Sequence, residues 1–250
     1  MLDVAAYLDR IAYTGPRDPS LATLRALHLA HLRAAPFENL DIGLGRTIVL
    51  DDAALYEKIV VRRRGGFCYE LNGLFARLLH VLGFAVTLLS AGVKGGNGQF
   101  GPEFDHLTLR VDLDEPWLAD VGFGDSFHLP LRLHGRAAQH RDGQAYRLVE
   151  DSAYLMLERL RDETWEPQYR FTLQPRALPD FTAMCHYQQT APESHFTRHS
   201  VCTILTAAGR ITLSDDRLII TNNGKRAEHM LTSAKERTEA LRDHFGIVLA

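Results

Sequence analysis

Residues 64–73 read RGGFCYELNG, and this stretch decides how the chain is interpreted. Apolar residues at helical spacing follow it, at Leu71, Leu74, Phe75, Leu78, Leu79 and Leu82. The spacing predicts a helix that begins near Cys68 and buries one face. The free N–H groups and the positive dipole end at a helix start favour a thiolate. Cys68 is therefore a candidate nucleophile, although a free cysteine is more often a buried, inert apolar residue.

The overall composition argues against several classes of protein. The chain has 250 residues, 46% hydrophobic and 24% charged, with a formal net charge of −3. These values are ordinary for a globular protein and predict no general attraction to nucleic acid or to a membrane surface. No apolar run approaches the roughly 20 residues of a membrane span, and the N-terminus does not resemble a signal peptide.

The cysteines indicate the compartment. Cys68, Cys185 and Cys202 form an odd set without C-x-x-C spacing. This pattern argues against a disulfide framework and a thiolate zinc site, and it fits a reducing cytoplasm. The sequence therefore predicts a cytoplasmic protein without a metal, and it does not indicate the oligomeric state.

Three kinds of residue pattern follow one another along the chain. Helical periodicity with good N-cap residues runs to Gly83 and predicts about four helices. Short strand-like runs separated by turn residues occupy residues 84–175 and predict a mainly antiparallel barrel or sandwich. After an ambiguous segment at 178–194, four strand-like runs lead to a final helix that begins at a Ser233–Glu236 capping box.

A predicted hairpin at residues 104–123 supplies a candidate base. His106 lies on the face opposite an aliphatic row in its first strand. If the turn centres on Asp114, Asp120 becomes the diagonal neighbour of His106 on the same face. A register shift of one residue would separate them, so the sequence permits this pair without requiring it. The alternative is an ordinary hydrogen-bonded histidine and a solvated aspartate.

Four segments together resemble a known family. They are Arg64 to Asn72, Phe104 to Leu107, Asp120 to Gly124 and the earlier loop Pro36 to Leu40. In this order they are similar to arylamine N-acetyltransferases. The resemblance implies an α+β fold with a cysteine-protease-like Cys-His-Asp arrangement. Its units are an N-terminal helical bundle at residues 1–83, a central antiparallel β-barrel at 84–190 and an α/β lid at 191–250.

The same resemblance implies a reaction. Cys68 is the expected nucleophile, His106 the expected base and Asp120 the carboxylate that orients it. The acetyl group of acetyl-CoA passes to Cys68 as a thioester and then to an aromatic amine or hydrazine, or to an N-hydroxyarylamine, in a ping-pong sequence. The expected partners are these small molecules, with neither nucleic acid nor a membrane involved. The Cys68 backbone N–H is the expected oxyanion donor.

The resemblance also implies binding residues. The expected aromatic wall of the substrate pocket is Phe37, Phe123 and Phe196. The expected acetyl-CoA contacts are Gly98, Phe100, Gly101 and Phe104, in and after a glycine-rich loop. From the residues alone, ordinary core packing explains the three aromatic positions equally well, and a flexible hairpin loop is the more usual explanation of the glycine-rich run. Glu38 and Arg64 resemble a pair that braces the site, the alternative being a surface ion pair of little energetic value.

Other functions remain open at this point. The same fold and triad would serve an amide synthase that releases a thioester-bound polyketide as a macrolactam in a much larger pocket. A thiol hydrolase or a transglutaminase-like enzyme would use the same three residues with water reaching the acyl-enzyme. A non-enzymatic scaffold would bury an inert Cys68.

Overall fold

The first third of the chain is helical, as predicted. The computed structural model describes residues 2–141 and 143–249. The helices here are α1 (Val4–Arg10), α2 (Leu21–Ala34), α3 (Leu40–Gly43), α4 (Asp52–Tyr56) and α5 (Cys68–Val81), with a π-helical turn at Glu57–Val61. The side chains of Asp3, Ser20 and Asp51 accept backbone N–H groups at the starts of α1, α2 and α4. A two-residue strand, β1 (Phe37–Glu38), lies between α2 and α3.

The middle of the chain forms a nearly closed antiparallel barrel. Its strands are β2 (Ala85–Val93), β3 (His106–Asp112), β4 (Pro116–Ala119), β5 (Leu131–Arg132), β6 (Gln139–Arg141), β7 (Gln144–Asp151), β8 (Tyr154–Arg161) and β9 (Thr164–Arg176). They are ordered β5-β4-β3-β2-β9-β8-β7-β6. In the β3–β4 hairpin Leu109 pairs with Ala119 and Val111 with Trp117, which is the register of a turn centred on Asp114.

The last part of the chain builds a second sheet. After a 3₁₀ turn at Leu178–Phe181 come α6 (Thr182–Thr190), α7 (His195–Arg198), β10 (Val201–Thr206), β11 (Gly209–Ser214), β12 (Arg217–Asn222), β13 (Lys225–Met230) and α8 (Ala234–Phe245). This sheet is ordered β1-β10-β11-β12-β13, so its first strand comes from the helical third. The Ser233 hydroxyl accepts the Glu236 N–H as predicted, whereas the Glu236 carboxylate accepts the N–H of Thr232.

The helical third and the β3–β4 hairpin of the barrel share an apolar core, and the other barrel strands bury a cluster of their own. Side chains of α5 pack with Leu107, Leu109, Val111 and Trp117 of the β3–β4 hairpin. Phe181 and Cys185 join the same cluster, although they follow the barrel strands in sequence. The hairpin is thereby fixed against the helix that begins at Cys68, while the proposed domain boundaries stay predictions. No helix in the described residues is long and apolar enough to cross a membrane.

Candidate active site

Helix α5 begins at Cys68, where the sequence predicts it. The residue before it, Phe67, is extended, and its N–H donates to the Glu70 carboxylate at 3.1 Å. Gly66 forms a bridge with Phe37. A Cβ on Gly65 would lie 1.9 Å from the Pro36 carbonyl oxygen. Gly65 is therefore needed for the close passage of this segment beside β1, while a Cβ on Gly66 would lie 2.7 Å from the Glu70 Cβ at the start of α5.

Burial dominates the ionisation of the thiol. It raises the pKa of Cys68 well above its ordinary value, and a hydrogen bond from the Leu107 backbone lowers it. The negative charges of Asp105 and Asp120 raise it further. The expectation that the helix start favours a thiolate is wrong for this buried thiol, because loss of hydration is the largest effect on its pKa. The thiol needs a base close to it.

The structure brings His106 and Asp120 together. The His106 Nε2 lies 2.7 Å from the Asp120 Oδ2, and both residues are buried. Burial raises the pKa of Asp120, but the neighbouring His106 and hydrogen bonds from Asn72 and Gly122 hold it below its ordinary value. Asp120 lies just beyond the end of β4, and these three partners hold its carboxylate in place. The Nδ1 of the imidazole remains for another partner.

Asn72 joins the cysteine helix to this pair. Its Nδ2 donates to the Leu107 carbonyl at 2.6 Å and to the Asp120 Oδ1 at 2.8 Å. Its Oδ1 accepts the Val121 N–H at 2.9 Å. Sequence reasoning did not single out Asn72, although a residue four positions after Cys68 lies on the same face of the helix. This amide fixes the hairpin against the helix that begins at the cysteine.

Two further features position the hairpin, one on each side of Asp120. A Cβ on Gly122 would lie 2.8 Å from the Cys68 Cα, so only glycine permits this approach. On the opposite side, the His28 Nε2 accepts the Asp120 N–H at 3.1 Å. Its Nδ1 lies 2.8 Å from the His128 carbonyl oxygen. Burial lowers the pKa of His28 to about 4, which keeps this histidine neutral in its accepting role.

The Glu38–Arg64 pair belongs to a buried charge network. Arg64 donates twice to the Glu38 Oε1, at 3.0 and 2.7 Å, and once to the Asp41 carboxylate at 3.1 Å. The Lys58 Nζ lies 2.8 Å from both the Asp41 and the Glu70 carboxylates. The surface ion pair considered for Glu38 and Arg64 is therefore wrong. Since Glu70 accepts the N–H of Phe67, the network braces the start of the cysteine helix.

One cavity of about 780 Å³ opens beside Cys68 and His106. Cys68, His106 and Gly122 line it, together with the three predicted aromatic residues Phe37, Phe123 and Phe196. Phe123 packs edge-on against the His106 ring at a centroid distance of 5.3 Å, and Phe37 lies 6.2 Å from Phe196. The volume falls within the range of small-molecule sites. In the described residues no group of three or more His, Cys, Asp or Glu side chains is arranged to hold a metal ion.

The residues expected to contact acetyl-CoA divide into two groups. Phe100 and Gly101 line the cavity, on the loop that joins β2 to β3. Gly98 lies in the same loop but is not among the lining residues. Phe104 also lies off the wall, with its ring packed edge-on against Phe181 at 5.2 Å. Binding of acetyl-CoA by these four residues stays a prediction.

Comparison with known proteins gives the family. A family model described as N-acetyltransferase matches residues 20–250. The arylamine N-acetyltransferase / N-hydroxyarylamine O-acetyltransferase of Salmonella typhimurium is 37% identical over 246 residues, which are 97% of this chain and 88% of that protein. The chain belongs to the arylamine N-acetyltransferase family. It is therefore an acyltransferase, and the fold and family that the sequence predicts are confirmed.

Solved structures of arylamine N-acetyltransferases have the same fold. The Mycobacterium tuberculosis protein superposes with a TM-score of 0.92 at 35% identity, covering 98% of this chain and 94% of that one. The Mycobacterium marinum protein, solved in complex with CoA, superposes with a TM-score of 0.92 at 34% identity, covering 98% and 93%.

Proposed function

We propose that this arylamine N-acetyltransferase carries the acetyl group of acetyl-CoA on Cys68 and transfers it to aromatic amines and hydrazines. The observation that carries the proposal is the position of Cys68 at a helix start, in one aromatic-walled cavity with a His106–Asp120 pair. In this proposal Cys68 is the nucleophile, His106 the base and Asp120 the residue that orients it.

The first half-reaction forms the acetyl-enzyme. The Asp120 carboxylate holds the proton of His106 on Nε2, so that Nδ1 accepts the proton of the thiol. The Cys68 sulfur attacks the thioester carbonyl, and the carbon–sulfur bond to CoA breaks. CoA leaves as a thiolate that takes a proton from the imidazolium. One thioester replaces another, and the Cys68 N–H at the helix start donates to the oxyanion in between.

The second half-reaction makes the amide. A neutral arylamine attacks the acetyl carbon, and His106 accepts a proton from its nitrogen. The carbon–sulfur bond to Cys68 then breaks, the thiol regains a proton, and the acetylated amine leaves. A hydroxylamine oxygen can attack in the same way, which fits the O-acetyltransferase named in the Salmonella relative.

The cavity suits both substrates. The walls at Phe37, Phe123 and Phe196 offer apolar faces to a flat aryl ring. Residues of the loop from Gly95 to Gly101 line the cavity, and nothing lies within 4 Å of where a Cβ on Gly96 would be. This open edge of the cavity has room for part of CoA, which is bound in the Mycobacterium marinum relative. About 780 Å³ is small for the polyketide of an amide synthase.

Intact-mass spectrometry tests the proposal. The protein is mixed with acetyl-CoA in the absence of an amine, and we expect one added acetyl group that is lost when an arylamine is added. Cys185→Ala is the matched control, because it removes another buried cysteine and should leave the adduct intact. No adduct in the wild type, or an undiminished adduct in Cys68→Ala, would refute the mechanism. Rapid loss of the adduct in water alone would favour a hydrolase.

A further inference from the structure

A chain of four hydrogen bonds runs from β2 to the aromatic wall of the cavity. The two oxygens of Asp105 accept the Val93 N–H at 3.1 Å and the Gln188 Nε2 at 2.8 Å. The Ser194 hydroxyl donates to Gln188, with the side-chain Oε1 at 2.6 Å and the backbone carbonyl oxygen at 3.0 Å. The Ser194 oxygen in turn accepts the Phe196 N–H at 3.2 Å. Every donor in this chain meets an acceptor.

The middle of the chain is specified by its partners. Gln188 is 8% exposed and Ser194 3% exposed, so a group that loses its partner here stays out of water. Asp105 is an acceptor and the Ser194 hydroxyl a donor, which orients the Gln188 amide in one way. The sequence patterns predict no role for Asp105, Gln188 or Ser194.

Phe196 depends on this support. It lies in α7, which has four residues and is too short to be stable by itself. Its ring packs 6.2 Å from Phe37 and edge-on to Phe67 at 5.8 Å, and its carbonyl oxygen accepts from Asn39 at 3.1 Å. The hydrogen bond to Ser194 holds the first turn. The aromatic ring is thus fixed through contacts with other parts of the chain.

We propose that Gln188 is a positioning residue for the acceptor half-reaction, because it holds Phe196 through Ser194 in the position that receives an aryl ring. This inference rests on the proposed function. Gln188 also lines the cavity. We assign its effect to the position of Phe196 and not to contact with the reacting atoms.

Asp105 has a second role that makes the proposal testable. Its Oδ2 would lie 2.2 Å from a Cβ on Gly101, so the carboxylate packs directly against the loop that we assign to acetyl-CoA. It also accepts the N–H of Val93, where that loop begins. Asp105 therefore contacts the donor side directly, whereas Gln188 reaches that loop only through Asp105. A change at Gln188 should separate the two half-reactions.

The test measures each half-reaction in Gln188→Leu. We expect a roughly five- to tenfold rise in the arylamine concentration for half-maximal deacetylation of the acetyl-enzyme, the loss of about one hydrogen bond. The effect on acetylation by acetyl-CoA should be at least fivefold smaller. Gln189→Leu is the matched control, since the amide of Gln189 bonds the Ile48 peptide at 2.7 and 3.2 Å instead of the chain to Phe196. Equal effects on both half-reactions, or the same separation in the control, would overturn the inference.

A paired exchange gives a second test that does not depend on Gln188→Leu being well folded. Gln188→Glu alone sets two carboxylates against each other, and Asp105→Asn alone leaves two donors for one oxygen. In the double variant the amide at 105 donates to the carboxylate at 188 and still accepts from Val93. We expect each single change to raise the half-saturating arylamine concentration at least fivefold and the pair to return within threefold of wild type.

The outcomes distinguish this inference from the proposed function. If the rises in half-saturating arylamine concentration add up in the double variant while the wild type forms its acetyl adduct, the positioning role is overturned and the proposed function stands. A wild type that forms no adduct overturns the proposed function and this inference with it.

Discussion

Replacement of Asp120 by asparagine tests the pair at the centre of the site. The Asp120 Oδ1 accepts from Asn72 at 2.8 Å and from the Gly122 N–H at 2.9 Å, while its Oδ2 faces His106. An amide has one acceptor oxygen. Kept on the side of Asn72 and Gly122, that oxygen retains two of these three hydrogen bonds, and the new NH₂ group then faces the His106 Nε2.

The imidazole must then change its tautomer. Because Nε2 has to accept a hydrogen bond, the proton of His106 moves to Nδ1, the nitrogen that we assign to the thiol proton. The burial that raises the pKa of Cys68 leaves few thiolates without that base. We expect acetylation of Cys68 to slow by roughly 10³- to 10⁴-fold, about 4 to 5.5 kcal/mol of barrier.

The assay is the single-turnover rate of acetyl-adduct formation, followed by intact mass in protein that has a normal unfolding transition. Asp112→Asn is the matched control: it makes the same change on the same hairpin, where Asp112 is partly exposed and pairs with Arg110. The control should stay within twofold of wild type. An Asp120→Asn protein that is folded and acetylated within tenfold of the wild-type rate would refute the reasoning.

Three other changes test the scaffold. Lys58→Met leaves buried carboxylates without their ammonium group, and urea unfolding should register a loss of roughly 3–5 kcal/mol; a loss below about 1 kcal/mol would contradict this. Burial lowers the pKa of His31 to about 3. The unfolded imidazole titrates near pH 6.5, so between these values the unfolded state binds more protons and stability falls as the pH falls. His31→Leu should reduce that slope by up to about 1.4 kcal/mol per pH unit in urea titrations from pH 6.5 to 4, and an unchanged slope argues against it. Gly65→Ala, whose Cβ would lie 1.9 Å from the Pro36 oxygen, should lower the thermal unfolding temperature, unlike Gly96→Ala, where nothing lies within 4 Å; equal temperatures for the two variants would contradict the clash.

Local patterns predict much of the site because its main parts lie on regular elements. The apolar period after Cys68 predicts the helix and its start. Strand alternation, with a turn centred on Asp114, predicts the His106–Asp120 pair. Both depend on residues close together in sequence. The aromatic positions Phe37, Phe123 and Phe196 came from the resemblance rather than from periodicity, and all three line the cavity.

What sequence reasoning missed depends on distant packing. Asp41 and Lys58 each resemble solvated charges in sequence, and only the packing of α3, the π-helical turn and α5 brings them into the buried network. The two residues of β1 carry no alternation, and their partner strand β10 lies far along the chain. Burial is also what reversed the expected direction of the pKa of Cys68, because a local helix-start argument contains no hydration term.

The pairing of β1 with β10 has a consequence for synthesis on the ribosome. Asn39 donates to the carbonyl oxygen of His199, 160 residues later, and Phe37 pairs with Thr203. A nascent chain that has released the helical third and the barrel therefore holds Cys68, His106 and Asp120 but lacks Phe196, the part of the aromatic wall carried by α7. The sheet that begins at β1 can form only after β10 has emerged from the ribosome. The cavity therefore cannot have all of its walls before α7 and β10 have been synthesised.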